Sequence, residues 1–339
     1  MSADTTVLIT GGAGYIGSTV AAELVRAGYR AVVYDNLSKG HRAAVPSDAK
    51  LIVGDLADAD AVTRVLREEK PAAVLHFAAS IEAGESMRVP ERFFRNNTAN
   101  TLQLLECLLA HDVKAFVFSS TAALYGNPER TPIAEDDRLQ PTSVYGESKL
   151  LVERVLDWYG RIHGFGSASL RYFNAAGATP DRGEDHHPES HLIPLILQVA
   201  LGKRDGVEIF GTDYATDDGT CVRDYVHVVD LAAAHVLALQ ALLQGRGRES
   251  RLIYNLGNGK GFSVRQVLET ARRVTAHPIP ARESLRRPGD PAILVASSDK
   301  IRRELGWTPR YADLESIVAS AWEWHRQRPN GYAEGDERS

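Results

Sequence analysis

The stretch that decides the fold is "LITGGAGYIG" at residues 8–17, where three glycines spaced three apart follow an apolar run. The run predicts a buried strand, and the pattern after it predicts a helix. Turns use glycine in any case, but this turn must be tight, must admit close backbone approach, and must let helix and strand pack. Gly11, Gly14 and Gly17 suit those needs, with the helix N-terminus facing an anion such as pyrophosphate. We predict a dinucleotide-binding turn here.

Short β-branched runs alternate with longer amphipathic segments through the first half of the chain. The predicted strands are 6–10, 31–35, 50–55, 73–79, 115–120 and 167–173, and helices are predicted near 17–27, 58–69, 90–110 and 143–163. Apolar strands separated by helical crossovers are typical of a parallel sheet covered on both faces. The predicted fold class is therefore α/β, a doubly wound parallel sheet of the NAD-binding Rossmann type, with ligands at the carboxyl ends of the strands.

The pattern changes after about residue 175, where Gly, Pro and charged residues become frequent. Later helical segments are interleaved with short strands such as "LIYNLG". We expect a cofactor-binding domain over residues 1–175 and a smaller, mixed α/β substrate domain over residues 176–335, with some later segments returning to the main sheet.

Composition excludes several classes of protein. The 339 residues include 24% charged residues with a net charge of −5, so no basic field favours nucleic acid. The chain's two cysteines cannot form a disulfide framework, and no Cys/His spacing indicates zinc. His186 and His187 are adjacent, but no further ligands have metal-site spacing, so we expect no metal. No segment approaches the roughly 20 apolar residues of a membrane span, and we expect a cytoplasmic protein.

Asp35 ends the second predicted strand in "VVYDN". A carboxylate at that place can accept hydrogen bonds from both adenosine ribose hydroxyls and would repel a 2′-phosphate, so NAD is favoured over NADP. Asp55 ends the third predicted strand in "VGDL", where contact with the adenine and a helix N-cap are equally good interpretations.

The segment "SVYGESK" at 143–149 places Tyr145 and Lys149 one helical turn apart. A free tyrosine is a poor base because its pKa is about 10. A neighbouring ammonium and a cationic nicotinamide would favour the phenolate, and Tyr145 could then take a proton from a sugar hydroxyl. Thr121, just past the fifth strand, could orient that hydroxyl. A pair at this spacing is common by chance, and its position after the glycine turn and the Ser/Thr loop favours catalysis.

Four segments in this order, "TGGAGYIG", "SSTAALYG", "YGESK" and "RYFNAAG", resemble the extended short-chain dehydrogenase/reductases that act on nucleotide sugars. The resemblance continues through "GTDYATDDGTCVRDYVHVVDLA", "YNLGNGKGFSV" and "RRPGD", covers roughly residues 5–332, and is strongest to the UDP-sugar 4-epimerases. It implies a tightly held NAD⁺ that oxidises the sugar at C4. The 4-keto sugar turns over and takes hydride back on its other face, so the reaction is redox-neutral.

The resemblance also implies site residues. Tyr145 would be the base, and Lys149 would hold the nicotinamide ribose and lower the pKa of the phenol. The implied cofactor positions are Gly11, Gly14, Tyr15, Ile16, Gly17, Asp35, Asn36, Asp55, Leu56, Phe77, Asn96, Lys149 and Phe173. The implied UDP-sugar positions are Thr121, Tyr145, Asn174, His191, Leu192, Arg223, Arg287 and Asp290.

Two positions depart from the family pattern. Ile81 stands where family members often have a lysine that reaches the cofactor pyrophosphate, so NAD is expected to be held less firmly. His191 stands where an asparagine often contacts the nucleotide diphosphate, and substitution for it and a plain loop histidine are equal interpretations. For Arg223, a salt bridge to Asp224 or Asp290 is the alternative to diphosphate binding.

Other activities of this fold make different demands on the residues. A 4,6-dehydratase of this family needs an Asp-Glu pair just after the threonine, where this chain has Ala122 and Ala123. A 4-epimerase of UDP-N-acetylglucosamine, UDP-xylose or UDP-glucuronate stays open, because Leu294 falls where the family gates the sugar pocket. A non-catalytic NAD sensor would have no need for Thr121, Tyr145 and Lys149 together. The family resemblance implies a homodimer through two helices per subunit, within 93–110 and 144–160, although their apolar stripes could equally face the sheet.

Overall fold

The first half of the chain supplies six parallel strands at the centre of a computed structural model that describes residues 5–247, 251–287 and 290–332. Their bounds lie close to the predicted ones: β1 Thr6–Thr10, β2 Arg30–Asp35, β3 Lys50–Val53, β4 Ala73–His76, β5 Ala115–Thr121 and β6 Gly166–Tyr172. Most of their residues are buried on both faces, as strands of a covered parallel sheet must be.

Helices connect these strands. They are α1 Tyr15–Arg26, α2 Ala59–Glu69, α3 Ala83–Ser86, α4 Pro90–Phe93, α5 Asn100–Ala110 and α6 Val144–His163. The segment predicted as one helix over 90–110 is instead α4 and α5 joined by a π-helix at Phe94–Ala99. Asn97 in that π-helix accepts from the Ser80 backbone N–H at 2.8 Å and donates to the Ser80 carbonyl at 2.9 Å. The irregular turn thereby ties the helix to the loop after β4.

The second half adds shorter strands and more helices. The strands are β7 Asn174–Ala176, β8 Val207–Phe210, β9 Val222–His227, β10 Leu252–Leu256, β11 Gly261–Ser263, β12 Ala281–Ser284 and β13 Ile293–Leu294. The helices are α7 Leu192–Ala200, α8 Val228–Leu243, α9 Val264–Thr275, α10 Asp299–Leu305 and α11 Leu314–Gln327.

The main sheet has seven parallel strands in the order β10-β6-β5-β4-β1-β2-β3. The order 3-2-1-4-5-6 within it is that of the doubly wound dinucleotide-binding fold, which confirms the predicted fold class. β10 comes from the second half and joins the edge at β6. The chain reverses direction across the sheet between β1 and β4, and a crevice for ligands forms at such a point.

Separate apolar cores cover the two faces of this sheet. Val7 and Ile9 of β1 point to the core made with α1 and α8, whereas Leu8 points to the core made with α2, α5 and α6. A third core of α7, α9 and α11 packs around β8 and β9. There β9 pairs with β7, β11 and β13, and β8 pairs with β12, so this region is mixed α/β as predicted. Within the described ranges, no helix is long and apolar enough to cross a membrane.

Candidate active site

The carboxyl ends of the central strands lie level with one another. Thr10 at the end of β1 is opposite Tyr34 and His76, and Thr121 at the end of β5 is opposite Tyr172. Residues that follow these strands therefore emerge along one edge of the sheet. The structure brings the following predicted positions to that edge: Gly11, Asp35, Asn36, Asp55, Leu56, Phe77, Thr121, Phe173 and Asn174.

The three glycines meet different requirements. Gly11 has φ +73°, and a Cβ there would lie 2.3 Å from the backbone nitrogen of Ala78. At Gly17 a Cβ would lie 2.4 Å from the Gly11 carbonyl oxygen, so helix and turn can pack only without a side chain. At Gly14 the nearest described atom would be 3.4 Å away, an ordinary contact. The protein itself therefore requires glycine at positions 11 and 17 but not at 14.

The N-terminus of α1 opens at this turn. Gly14 precedes its first residue, and among the described residues no side chain caps it and no acid occupies its first turn. Free backbone N–H groups and the positive end of the helix dipole favour an anion at this place. Tyr15 donates its hydroxyl to the Gly177 carbonyl at 2.5 Å, and Ile16 packs against the core beneath.

Asp35 is 8% exposed and ties the glycine turn to β2. One carboxylate oxygen accepts the Ala13 N–H at 2.9 Å, and the other accepts the Leu37 N–H at 2.8 Å. Burial raises the pKa of Asp35, although these two hydrogen bonds and nearby His41 act to lower it. Each oxygen keeps further acceptor capacity, so the carboxylate can still receive ribose hydroxyls.

The other predicted cofactor positions continue along the edge. Asn36 donates to the Asp55 carboxylate at 2.8 Å, and Asp58 rather than Asp55 caps α2. Leu56 is buried, and Phe77 packs its ring 4.8 Å from that of His235. Asn96 lies in the π-helix and donates to the Ser80 hydroxyl at 3.2 Å.

Tyr145 sits in the first turn of α6, which begins where the Ser143 hydroxyl accepts the Gly146 N–H at 3.1 Å. Its backbone N–H donates to the Ser86 hydroxyl at 3.1 Å, and its phenol lies beside the Thr121 side chain. Burial raises the pKa of Tyr145 to about 12, while the neighbouring Thr121 side chain acts to lower it and Glu82 to raise it. The pKa of the phenol in the protein alone is thus raised because burial removes water from the ring. The predicted lowering by Lys149 together with a bound nicotinamide stays a prediction.

Lys149 lies one turn further along α6 and is 2% exposed. Its ammonium donates to the Ser119 carbonyl at 2.9 Å and lies 4.9 Å from the centre of the Phe118 ring. Burial lowers the pKa of Lys149 to about 7. Both members of the pair are therefore pushed toward their neutral forms when no ligand is bound.

A buried network that sequence reasoning missed holds α6 against β5 and β6. Glu153, one turn after Lys149, accepts the Ser120 hydroxyl at 2.7 Å. It also forms a bidentate ion pair with Arg171, at 2.9 Å to Nε and 2.6 Å to Nη2. Arg171 donates in turn to the Tyr125 hydroxyl at 2.8 Å. A glutamate four residues after the lysine in an apolar helix was the available signal.

The predicted UDP positions lie on the second-half elements. Arg223 on β9 forms an ion pair with Asp290, one of the two salt bridges that the sequence offered as an alternative, and both are predicted UDP positions. Arg287 lies over the Phe210 ring at 3.9 Å. Leu294 is beside Arg223 across the β9–β13 pairing and packs against the cluster of Ala122, Tyr125 and Ile133 together with Phe173. This contact places β9 and β13 beside the turn that follows Thr121.

His191 and Leu192 begin α7, with His191 at the position before the helix. The His191 ring contacts Glu184 and Glu189, and His186 joins the same group. We had expected no metal because no further ligands were spaced to help His186 and His187. The structure places His187 outside this group, beside Asp185. It also supplies three companions for His186 that linear spacing did not reveal.

Ile81 stands beside Glu82, whose carboxylate is 3.2 Å from the ammonium of Lys39. Lys39 also donates to the His187 carbonyl at 2.7 Å. A cation is therefore present near the position where the family lysine is replaced, although it comes from the loop after β2.

A family model described as the NAD dependent epimerase/dehydratase family matches residues 7–257. The chain belongs to this family. It is 50% identical over 329 residues to a UDP-glucose 4-epimerase of Halalkalibacterium halodurans, covering 96% of this chain and 97% of that one. It also resembles a crystal structure of a UDP-glucose 4-epimerase with a TM-score of 0.93 and 49% identity, over 97% and 99% of the two chains. A UDP-glucose 4-epimerase from Bifidobacterium longum, solved in complex with NAD⁺ and UDP, has a TM-score of 0.91 and 37% identity, over 97% and 100%.

NAD is the cofactor of this family. The residues of this chain fit it: the open N-terminus of α1 suits a pyrophosphate, and the Asp35 carboxylate suits a ribose diol.

We predict different outcomes for alanine at two of the glycines. Gly11→Ala forces a methyl group into the Ala78 backbone at a positive φ, so it should lower both thermal stability and bound NAD. Gly14→Ala meets no close protein atom, so it should fold with unchanged thermal stability but hold less NAD, because only the cofactor would contact the methyl group. Thermal unfolding and the absorbance of NAD released on denaturation measure the two effects. Equal loss of stability in both variants would contradict this separation.

Proposed function

We propose that this chain is an NAD-dependent isomerase that interconverts UDP-glucose and UDP-galactose by inverting C4. The observation that carries the proposal is the Tyr145 phenol beside the Thr121 side chain, with buried Lys149 one turn away, at the carboxyl edge of an NAD-binding sheet. UDP-glucose 4-epimerases at about half identity over nearly the whole chain support the same substrate.

Tyr145 takes the proton of the sugar 4-hydroxyl. The phenol lies beside the Thr121 side chain, so the sugar 4-hydroxyl can bind between the phenol oxygen and the threonine hydroxyl. NAD⁺, when bound, supplies a positively charged ring that accepts hydride from C4 and later returns it. In the second half the 4-keto sugar presents its other face, and Tyr145 gives the proton back to the oxygen.

Lys149 acts on Tyr145 and on the cofactor ribose. The carbonyl of Ser119 holds the ammonium at 2.9 Å, so its position is set before any ligand arrives. An ammonium at that place favours the phenolate and opposes the effect of burial on the pKa of Tyr145. Ala122 and Ala123 offer no acid or base beside the sugar, which disfavours elimination of water as a competing reaction.

In this proposal the two halves of the chain bind different ligands. Residues 1–175 hold NAD through the glycine turn, Asp35 and the predicted positions along the strand ends. Residues 176–335 hold the UDP part, and residues 333–335 of that range lie outside the described residues. Arg223 is 12% exposed, and its ion pair with Asp290 fixes the position of the guanidinium beside the proposed diphosphate site. His191, Leu192, Asn174 and Arg287 complete the proposed UDP site.

The decisive assay follows UDP-galactose to UDP-glucose by NMR with the purified protein and no added cofactor. Conversion is expected, since the family holds NAD. Tyr145→Phe should reduce turnover by about 10²–10⁴-fold while NAD stays bound, because only proton transfer is removed.

Tyr159→Phe is the matched control on the same helix. The Tyr159 ring packs on Phe165 and His163, away from Thr121, so activity should be unchanged. A Tyr145→Phe variant with full activity would overturn the role of the phenol. Conversion only after NAD is added would indicate weak retention, which is the expected consequence of Ile81.

UDP-N-acetylglucosamine is a second candidate substrate because Leu294, beside Ala122 and Phe173, is smaller than a tyrosine. We expect measurable turnover of this sugar nucleotide in the same assay. Leu294→Tyr should suppress that turnover and leave UDP-glucose activity largely intact, whereas Leu294→Met, of similar volume, should change neither. No detectable turnover by the wild-type protein would refute the wider substrate range.

A homodimer is proposed through α5 and α6, which pack side by side. Trp158 and Ile162 stand one turn apart on α6 and are 59% and 66% exposed, and Leu102 on α5 is 37% exposed. Exposed large apolar groups in line on neighbouring helices are typical of a helical interface.

Free Cys107 and Cys221 suit the cytoplasm, where we place the enzyme.

Trp158→Glu combined with Ile162→Glu should convert a dimer into a monomer, as measured by sedimentation velocity. Leu285→Glu changes another exposed apolar side chain, 91% exposed and outside these helices, and should leave the dimer intact. A double variant that sediments as the wild type would exclude this face.

A further inference from the structure

Four side chains of the segment between β7 and α7 converge at one point. They are Glu184, His186, Glu189 and His191, and their potential ligand atoms all lie within 4.8 Å of one another. We propose that these four residues form a binding site for a divalent transition-metal ion, with Zn²⁺ the best fit. The proposal does not depend on the sugar that the enzyme uses.

The spacing of the ligand atoms suits a small ion. His191 Nδ1 is 2.7 Å from Glu184 Oε1 and 2.9 Å from Glu189 Oε1. His186 Nδ1 is 3.2 Å from the same Glu184 oxygen and 4.0 Å from Glu189 Oε2. Ligand atoms around a tetrahedral Zn²⁺ with bonds of 2.0–2.1 Å are about 3.3 Å apart. The observed distances fall on both sides of that value, so small side-chain movements would complete the coordination.

The ligand types select the class of metal. Two imidazole nitrogens and two carboxylate oxygens suit Zn²⁺ and its first-row neighbours, whereas Ca²⁺ and Mg²⁺ prefer oxygen alone. Four protein ligands leave no open position for a reacting water, which is the arrangement of a structural site. The expected role of the ion is therefore to brace the segment that leads into α7.

The surrounding backbone already orients the ligands. Glu189 Oε1 accepts the N–H groups of Ser190 at 2.7 Å and His191 at 2.8 Å, which leaves Oε2 available. Next to Glu184, the Gly183 N–H donates to the Tyr332 hydroxyl at 3.0 Å, and Asp185 accepts the Tyr332 N–H at 2.9 Å. Metal ligands with such outer hydrogen bonds lose less freedom when the ion binds.

The carboxylates of the cluster are buried, yet an ion can reach them from solvent. The side chains of Glu184 and Glu189 are 6% and 5% exposed, and that of His191 is 41% exposed, so an ion can enter past its ring. Two buried carboxylates need positive charge beside them. Without an ion, the histidines must provide it: burial acts to lower the pKa of His186 and His191, but the carboxylates of Glu184 and Glu189 outweigh it and raise both. A divalent cation would supply that charge in place of the two ring protons.

The test uses the full-length protein after treatment with a chelator and dialysis, titrated with Zn²⁺ by calorimetry. Wild type should bind one ion per chain, and the ion should raise the midpoint of thermal unfolding. His186→Ala and Glu189→Gln should each weaken binding by at least about tenfold and lose the thermal shift. His187→Ala is the matched control: this adjacent histidine is 79% exposed, contacts Asp185 and lies outside the cluster, so the variant should behave as wild type.

Several outcomes would overturn the site. They are absence of binding, binding that His186→Ala leaves unchanged, and binding that His187→Ala removes. In each case the four residues are a hydrogen-bonded ion-pair network that keeps its two protons. Tighter binding of Mg²⁺ than of Zn²⁺ would contradict the assignment of the metal. Glu189→Gln is nearly isosteric, and NAD content and circular dichroism verify that each variant is folded.

Discussion

The ion pair between Glu153 and Arg171 fixes the geometry on which the catalytic residues depend. Both side chains are 1% exposed, and the carboxylate also receives the Ser120 hydroxyl. Removing one partner of such a pair typically destabilises a fold by about 3–5 kcal/mol, because the other charge stays buried. The pair joins α6 to β6, and Ser120 joins it to β5. Glu153 lies one turn beyond Lys149, and Ser120 lies one residue before Thr121. The distance between the phenol on the helix and the hydroxyl on the strand is therefore set beneath the site, by residues that contact no ligand.

The sequence predicted those features whose cause is local. β-branched runs predicted the six central strands to within a few residues, and the glycine spacing predicted the turn, because Gly11 and Gly17 each serve a requirement of the adjacent backbone. The one-turn spacing likewise placed Tyr145 and Lys149 together on α6. The prediction of one helix over 90–110 was wrong at the centre of the segment, where the structure has a π-helix. Asn97 there bonds to both backbone groups of Ser80, a contact across 17 residues that no helical periodicity contains.

The features that the sequence did not predict depend on contacts between distant residues or on burial. Arg171 gains its significance from Glu153 and Tyr125, which lie 18 and 46 residues away. For Arg223 the sequence offered diphosphate binding and a salt bridge to Asp224 or Asp290 as alternatives, and only the fold selects Asp290, 67 residues away, as its partner. Glu184 and Glu189 have no special pattern in the sequence, where they are two of several acids in a charged segment. Only the fold of that segment brings their carboxylates to His186 and His191. Charge counted along a chain does not show which charges are removed from water together.

The pKa values of the catalytic pair show how burial and function are reconciled. Burial raises the pKa of Tyr145 to about 12 and lowers that of Lys149 to about 7, so the cofactor-free site favours a neutral phenol beside a partly deprotonated amine. A phenolate next to an ammonium becomes favourable when further positive charge enters the same low-dielectric space. The site is thus a weak base by itself, and its basicity depends on the charge of what it binds. Such coupling confines proton abstraction to the loaded state, in which a hydride acceptor is present for the sugar carbon.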